Sequence, residues 1–200
     1  MRVQRITFFA EPRCEDAPMP TVPSIRTPRF DLVSMSLPFM EALAAHDVDR
    51  AMDEIGAMLP TDMPDDLVHF LEYRTAQLRD DPSIQPWLGR VIVIEDSGGR
   101  RVIGSIGFHG PPDESGRVEV GYRVEPEHRR QGVATEVVQA LLEWANREHD
   151  VTRFRAATAP DNLASQAVLA RFGFRQTGTQ MDDLDGLEIV FELDDWAATS

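Results

Sequence analysis

The chain has 200 residues, enough for one domain with at most a short appendage, and its 42% hydrophobic content provides for a sizeable core. Its formal charge is −14, and all 20 basic residues are arginines; this balance argues against nucleic acid or a membrane as partner and suits a cationic one, although surplus carboxylates also keep a protein in solution. No apolar run nears the roughly 18 residues of a membrane span, and the lone Cys14 excludes an internal disulfide or a cysteine-based metal cluster, so a cytoplasmic location is expected.

Residues 1–26 hold Pro12, Pro18, Pro20 and Pro23 without helical or strand period, and read as an irregular extension before a domain at 27–200. A first strand is expected at 29–35. Ser36 suits a helix N-cap, with Pro38 in the first turn, where a missing N–H costs nothing. Helices follow at 37–46, 48–59 and 65–79, the last with Leu67, Phe70, Leu71 and Leu78 on one face. Val91-Ile92-Val93-Ile94 is a buried-strand run, Asp96-Ser97-Gly98-Gly99 a turn, and 102–109 the returning strand of a hairpin. Pro111–Gly116 leads to a strand at 117–124. A long helix at 132–148 carries Val133, Val137, Ala140, Leu141 and Trp144 at helical spacing. A strand at 152–158, a helix at 163–172 and strands at 174–180 and 187–193 complete a mixed α/β order with one antiparallel meander.

The segment from Val118 to Thr135 carries the chemistry. A strand ends, an arginine-rich turn follows, and Gly132 opens the long helix. Unpaired amides and the positive end of the helix dipole make such a junction an anion site. Gly132 and small Ala134 let the backbone approach a diphosphate, to which Arg129 and Arg130 add charge. The spacing fits neither Gly-x4-Gly-Lys-Ser/Thr nor Gly-x-Gly-x-x-Gly.

Arg129-x-x-Gly132-x-Ala134 resembles the CoA-pyrophosphate signature of the GNAT N-acetyltransferase superfamily. Thr27-Pro28-Arg29-Phe30-Asp31-Leu32 and Glu119-Val120-Gly121-Tyr122 resemble two strands of its ribosomal-protein N-terminal acetyltransferase branch. Asn162-x-x-Ser165 with Phe172-Gly173-Phe174 resembles its late helix and following strand. The likeness covers about 27–193. It implies the GNAT fold, a mostly antiparallel twisted sheet of about seven strands with strands 4 and 5 splayed and helices flanking. It also implies acetyl-CoA as co-substrate, held by Arg129, Arg130, Gln131, Gly132, Val133, Ala134 and Thr135 at the diphosphate. The backbone of Tyr122, Arg123 and Val124 would meet the pantetheine arm, with Asn162 and Ser165 across from it. Asn162 also reads as a helix N-cap. No metal is expected, and the chain is taken as a monomer or homodimer.

Glu119 stands among valines at the position where the family often has a catalytic glutamate working through water; the other reading is an exposed strand carboxylate. Many relatives carry a tyrosine seven residues after the helix asparagine as the acid for the departing thiolate, but here that residue is Leu169. Ser165, Tyr122 or water remain as proton sources. His109 reads as a turn histidine or as a substrate-facing one, and His46, His69 and His149 lack partners at metal-ligand spacing. Asp182, Asp183 and Asp185, with Asp62, Asp65 and Asp66, lie in turns that border the acceptor entrance in the family. They would attract a cationic amine, a peptide N-terminus or a small amine, or they are simply solvated. Two functions stand: acetyl transfer to such an amine, and a CoA-binding sensor or interaction domain that has lost turnover.

Overall fold

A computed structural model describes residues 22–60, 66–182 and 186–198. Cys14, most of the expected extension, and Asp62, Asp65, Asp183 and Asp185 lie outside the described residues. Among the described residues fifteen elements alternate in the mixed order expected. Strands β1 (Ile25–Arg26), β2 (Phe30–Ser34), β3 (Arg90–Asp96), β4 (Gly99–Phe108), β5 (Arg117–Val124), β6 (Arg153–Thr158), β7 (Arg175–Asp182) and β8 (Gly186–Leu193) form one sheet in the order β1-β2-β3-β4-β5-β6-β8-β7. Every pairing is antiparallel except β5 with β6. The sheet has eight strands where about seven were expected. The extra one is the two-residue β1, at the end of the expected extension, which is too short to carry a period.

The helices form for local reasons legible in the chain. In α1 (Leu37–Ala44), Ser36 caps the first turn by accepting from the Phe39 amide at 3.3 Å. Helix α2 (Val48–Ile55) stops four residues before the expected Leu59, because Gly56 takes a left-handed conformation, φ 62°, as its C-cap. Met58 then bridges to Arg101. Helix α3 is Asp66–Asp80, α4 is Val133–His149 and α5 is Leu163–Arg171. Among the described residues no helix is long and apolar enough to cross a membrane.

Two cores lie on opposite faces of the sheet. On one, α4 buries Val137, Val138, Leu141, Leu142 and Ala145 against Ile92, Ile106, Phe108, Val120 and Phe154. Each large aliphatic side chain buried this way stabilises by about 1.5–3 kcal/mol. On the other, Phe39, Met40, Ile55, Leu71 and Leu78 of α1–α3 cover Val91 and Val93. The run Val91-Ile92-Val93 is therefore apolar throughout because both of its faces are buried.

One buried cation had no signal in the sequence. Arg90 is 1% exposed. Its guanidinium donates to the carbonyls of Pro23, Leu32 and Pro86 and lies 5.4 Å from the Trp144 ring. Burial pushes it down to about 10, so it stays protonated at neutral pH.

Candidate active site

The site begins where the sheet opens. β5 and β6 pair in parallel at only three positions, Arg117 with Arg153, Val118 with Phe154, and Glu119 with Arg155, and then part. Ions hold the closed end. Arg117 bonds Glu192 at 2.7 Å and Asp194 at 2.6 Å, and Arg153 bonds the same Asp194 oxygen at 3.0 Å. The expected splay is thus present, one strand number later because of β1.

On β5, backbone groups alternate between neighbours. The Glu119 carbonyl accepts from the His109 amide at 2.9 Å, and the Ile103 carbonyl from Glu125, so odd-numbered residues face β4. Past the last pair, where Val120 N–H still meets Arg155, the Val120 carbonyl and the N–H and C=O of Tyr122 are therefore directed into the gap, where no strand pairs with them. Arg123 directs its own toward Ser105 of β4. Of the three residues expected at a pantetheine arm, Tyr122 and Val124 have the required orientation and Arg123 has the other.

The gap is a cleft of about 680 Å3, lined among others by Glu119, Tyr122, Thr158, Asn162, Ser165 and Leu169. Thr158 Oγ1 is buried without a hydrogen-bond partner, a polar atom left over in the cleft wall. Asn162 caps α5, its Oδ1 accepting from the Ser165 amide at 3.1 Å, so the capping reading holds while the residue still borders the cleft. Tyr122 donates its hydroxyl to the Ser165 carbonyl at 3.3 Å, and burial pushes its ionisation up, so it remains a phenol. Leu169, in the place of the family's tyrosine, is 1% exposed and closes the cleft wall with carbon.

Beyond Val124 the chain turns into α4. Arg130 and Gly132 both adopt left-handed conformations, φ 59° and 77°, and Gly132 is the N-cap with no side chain bonding the helix amides. A residue with a Cβ pays about 1–2 kcal/mol for that conformation. Arg129 does not extend freely from this turn: its Nε donates to the Val124 carbonyl at 2.8 Å, which ties the loop to the end of β5. The connection between β1 and β2 anchors the same turn. Glu136 of α4 accepts from Thr27 Oγ1 at 2.7 Å, the Arg29 amide at 3.0 Å and Arg29 Nε at 2.6 Å, while Arg29 Nη1 reaches the Gln131 carbonyl at 3.1 Å. Desolvation works against the Glu136 carboxylate, but these hydrogen bonds together hold its carboxyl below the usual range. The pairing of Thr27 and Arg29 with Glu136 is tertiary, and nothing in the spacing signals it.

At the other end of the cleft a polar chain crosses four strands. Glu119 Oε1 lies 3.7 Å from His109 Nδ1, and its Oε2 lies 3.5 Å from Arg155 Nε. Arg155 donates to Gln180, which donates to Glu188 at 2.8 Å. Asp182 lines the same wall, so three carboxylates, Glu119, Asp182 and Glu188, line the cleft together with Arg123, while Arg155 stands behind Glu119. Among the described residues no cluster of histidine, cysteine and carboxylates could hold a metal ion.

An unpaired strand edge leading to an open helix N-terminus fits a long ligand with a peptide-like arm and a diphosphate. Comparison with known proteins agrees. Residues 40–175 match the family described as "Acetyltransferase (GNAT) domain". The Bacillus subtilis (strain 168) protein named Uncharacterized N-acetyltransferase YjdG is 30% identical over 151 residues, 75% of this chain and 88% of that protein. The fold is similar to that of the ribosomal-protein-S5-alanine acetyltransferase from Vibrio fischeri, at TM-score 0.60 and 17% identity over 88% of this chain and 99% of that one. It is also similar to Mycobacterium smegmatis RimJ in complex with CoA-disulfide, at TM-score 0.58 and 20% identity over 88% of each chain.

Proposed function

The chain belongs to the GNAT acetyltransferase family, and on that premise we propose that it transfers the acetyl group of acetyl-CoA directly to a primary amine entering beside Glu119. The observation that carries this reading is the parting of β5 and β6 after the Glu119–Arg155 pair, with an open helix N-terminus at the far end of the gap. Acetyl-CoA supplies an activated thioester carbonyl. The amides of the loop 129–135 receive its diphosphate, with Arg129, Arg130 and Gln131 holding the turn and Val133, Ala134 and Thr135 opening the helix. The Val120 carbonyl and the backbone of Tyr122 pair with the arm, and a β5 amide polarises the thioester carbonyl. Asn162 and Ser165 close the opposite side.

Glu119 is the carboxylate that assists removal of the amine proton from its place beside the strand gap. The energy required depends on the acceptor. Deprotonating a lysine-type amine at pH 7 costs about 4–5 kcal/mol, an α-amine about 1 kcal/mol. The three cleft carboxylates favour a cationic acceptor, a peptide N-terminus or a small amine. One structural neighbour is named for a ribosomal-protein alanine, which accords with the peptide case; that likeness extends to fold alone, so the acceptor rests on the charge of the cleft.

Leu169 favours a second reading, a CoA-binding domain without turnover, because carbon stands where relatives hold an acid. Incubating the protein with acetyl-CoA and a panel of free peptides, N-blocked lysine peptides and polyamines separates the two. Mass spectrometry should find one amine class gaining an acetyl group. Tight acetyl-CoA binding with no acetylated product from any member would support the second reading.

A further inference from the structure

β4 ends at Phe108 opposite Val120, which brings the next residue, His109, opposite Glu119 across the strand pair. The imidazole then lies over β5 in the direction of the cleft. A Cβ on Gly121 would sit 3.0 Å from His109 Nε2, so the absence of a side chain at 121 is what leaves the ring its space. Nδ1 faces the other way, toward Glu119 Oε1 at 3.7 Å. Arg74 of α3, 6% exposed, fixes the backbone beneath by donating to the His109 carbonyl at 2.8 Å and to Gln77 at 2.9 Å. The ring nonetheless reaches solvent, with 57% of its side chain exposed, and it lines the cleft with Tyr122 and Ser165.

We propose that His109 is a catalytic residue that receives the amine proton on Nε2, with Glu119 behind Nδ1 orienting the ring and balancing its charge. This rests on the acetyl-transfer reading and replaces a single carboxylate by a relay of two groups. The nitrogen of the neutral amine forms its bond to the thioester carbon as the carbon–sulfur bond breaks, the electron pair leaving with sulfur. The nitrogen gives one proton to Nε2, and the exposed imidazolium returns it to water, so the balance closes on an amide, a thiolate and one released proton. Contact distances in a ligand-free site of this kind are commonly longer than those made during reaction.

Four charged groups on the elements around it act on the ring: Glu119 on β5, Arg74 on α3, Glu188 on β8 and Arg155 on β6. Loss of water comes first and lowers its affinity for a proton. Glu119 and Glu188 raise it, and Arg74 and Arg155 lower it, with the net below the ordinary 6.5. Exposure lets water screen part of each effect. A ring that is neutral at pH 7 has the lone pair a base requires.

The test pairs kinetics with a measurement on the free protein. In wild type the His109 resonance, identified by its loss in His109→Gln, should titrate by NMR below 6.5 and fall further in Glu119→Gln. His109→Gln should lower kcat by about 10²-fold or more and remove the acid limb of the kcat–pH profile, with acetyl-CoA affinity within about threefold of wild type. Gly121→Ala keeps the imidazole but displaces it, and should lower kcat at least about tenfold. A His109 titration indifferent to Glu119→Gln, or an unchanged kcat and pH profile in His109→Gln or an unchanged kcat in Gly121→Ala, overturns the proposal. Wild type that acetylates no amine contradicts the acetyl-transfer reading instead, and the NMR coupling still reports on the pair.

Discussion

Glu119 and Arg155 are the last residues paired between β5 and β6, and their side chains meet at 3.5 Å at the point where the strands part. The end of the ladder thus marks both the mouth of the gap and the position of its acid. The guanidinium continues through Gln180 to Glu188, so the carboxylate is held from the side of the β7–β8 hairpin. A carboxylate fixed this way keeps one geometry relative to the strand edge, which the proposed proton removal requires.

Replacing Glu119 by Gln preserves shape and removes the charge. With a lysine-type amine, kcat at pH 7 should fall by about 10²–10⁴-fold, and with an α-amine by less, because more of it is already neutral. Initial rates at pH 7 and 8.5 on both acceptors check this, with partial recovery expected at the higher pH. Equal losses on both acceptors, or none, would remove Glu119 from proton transfer.

The turn before α4 should carry cofactor affinity. Arg129→Ala cuts the bond to the Val124 carbonyl and one positive charge, and should weaken acetyl-CoA binding by about 1–3 kcal/mol. Gly132→Val should do worse, since a β-branched residue resists φ 77° and its Cβ occupies the approach to the helix amides. Calorimetric Kd values equal to wild type in both variants would place the diphosphate elsewhere.

The anchor of the β1–β2 connection on α4 predicts a pH effect. Glu136 has a depressed folded pKa, so its contribution is present above the unfolded value near 4.5 and is lost as pH falls through the lower folded value. The wild-type Tm should therefore drop more steeply than that of Glu136→Gln between about pH 5 and 3, and the two curves should converge at the acid end. Parallel curves across that range would contradict the linkage.

Much of this was legible in the chain. The strand Arg117–Val124 was read with its observed ends, because alternating valines close at Pro126. The turn into α4 was legible because a glycine between a strand and a helical period marks a junction, and Gly132 is the N-cap there with φ 77°. What could not be read depends on register. His109 belongs to a turn by its neighbours Gly110 and Pro111, and only the β4–β5 pairing brings it against Glu119. Arg155 and Gln180 lie 25 residues apart and meet because β6 and β7 both flank β8. Thr27 and Arg29 belong to a motif that resembles an opening strand, while their hold on Glu136 depends on where α4 lies against the sheet.

Arg90 tests the other end of the fold. Arg90→Met relieves the burial of a charge but leaves the Pro23, Leu32 and Pro86 carbonyls without their donor. Since a lost partner costs about 1–3 kcal/mol per buried group, a net destabilisation of at least about 2 kcal/mol is expected. For a chain of this size that lowers Tm by about 4–8 °C. An equal or higher Tm would mean that desolvation of the guanidinium outweighs its hydrogen bonds.

The central claim is that an amine in the Glu119 cleft takes the acetyl group. Its most direct test is the rate of free thiol release from acetyl-CoA with and without amine, at fixed protein concentration. The chain contains no lysine, so its own side chains offer no competing amine. The account predicts slow release alone and release that rises and saturates with one amine class, in equal molar amount to the acetylated product. Release that is the same with and without every amine, while acetyl-CoA still binds, would contradict it.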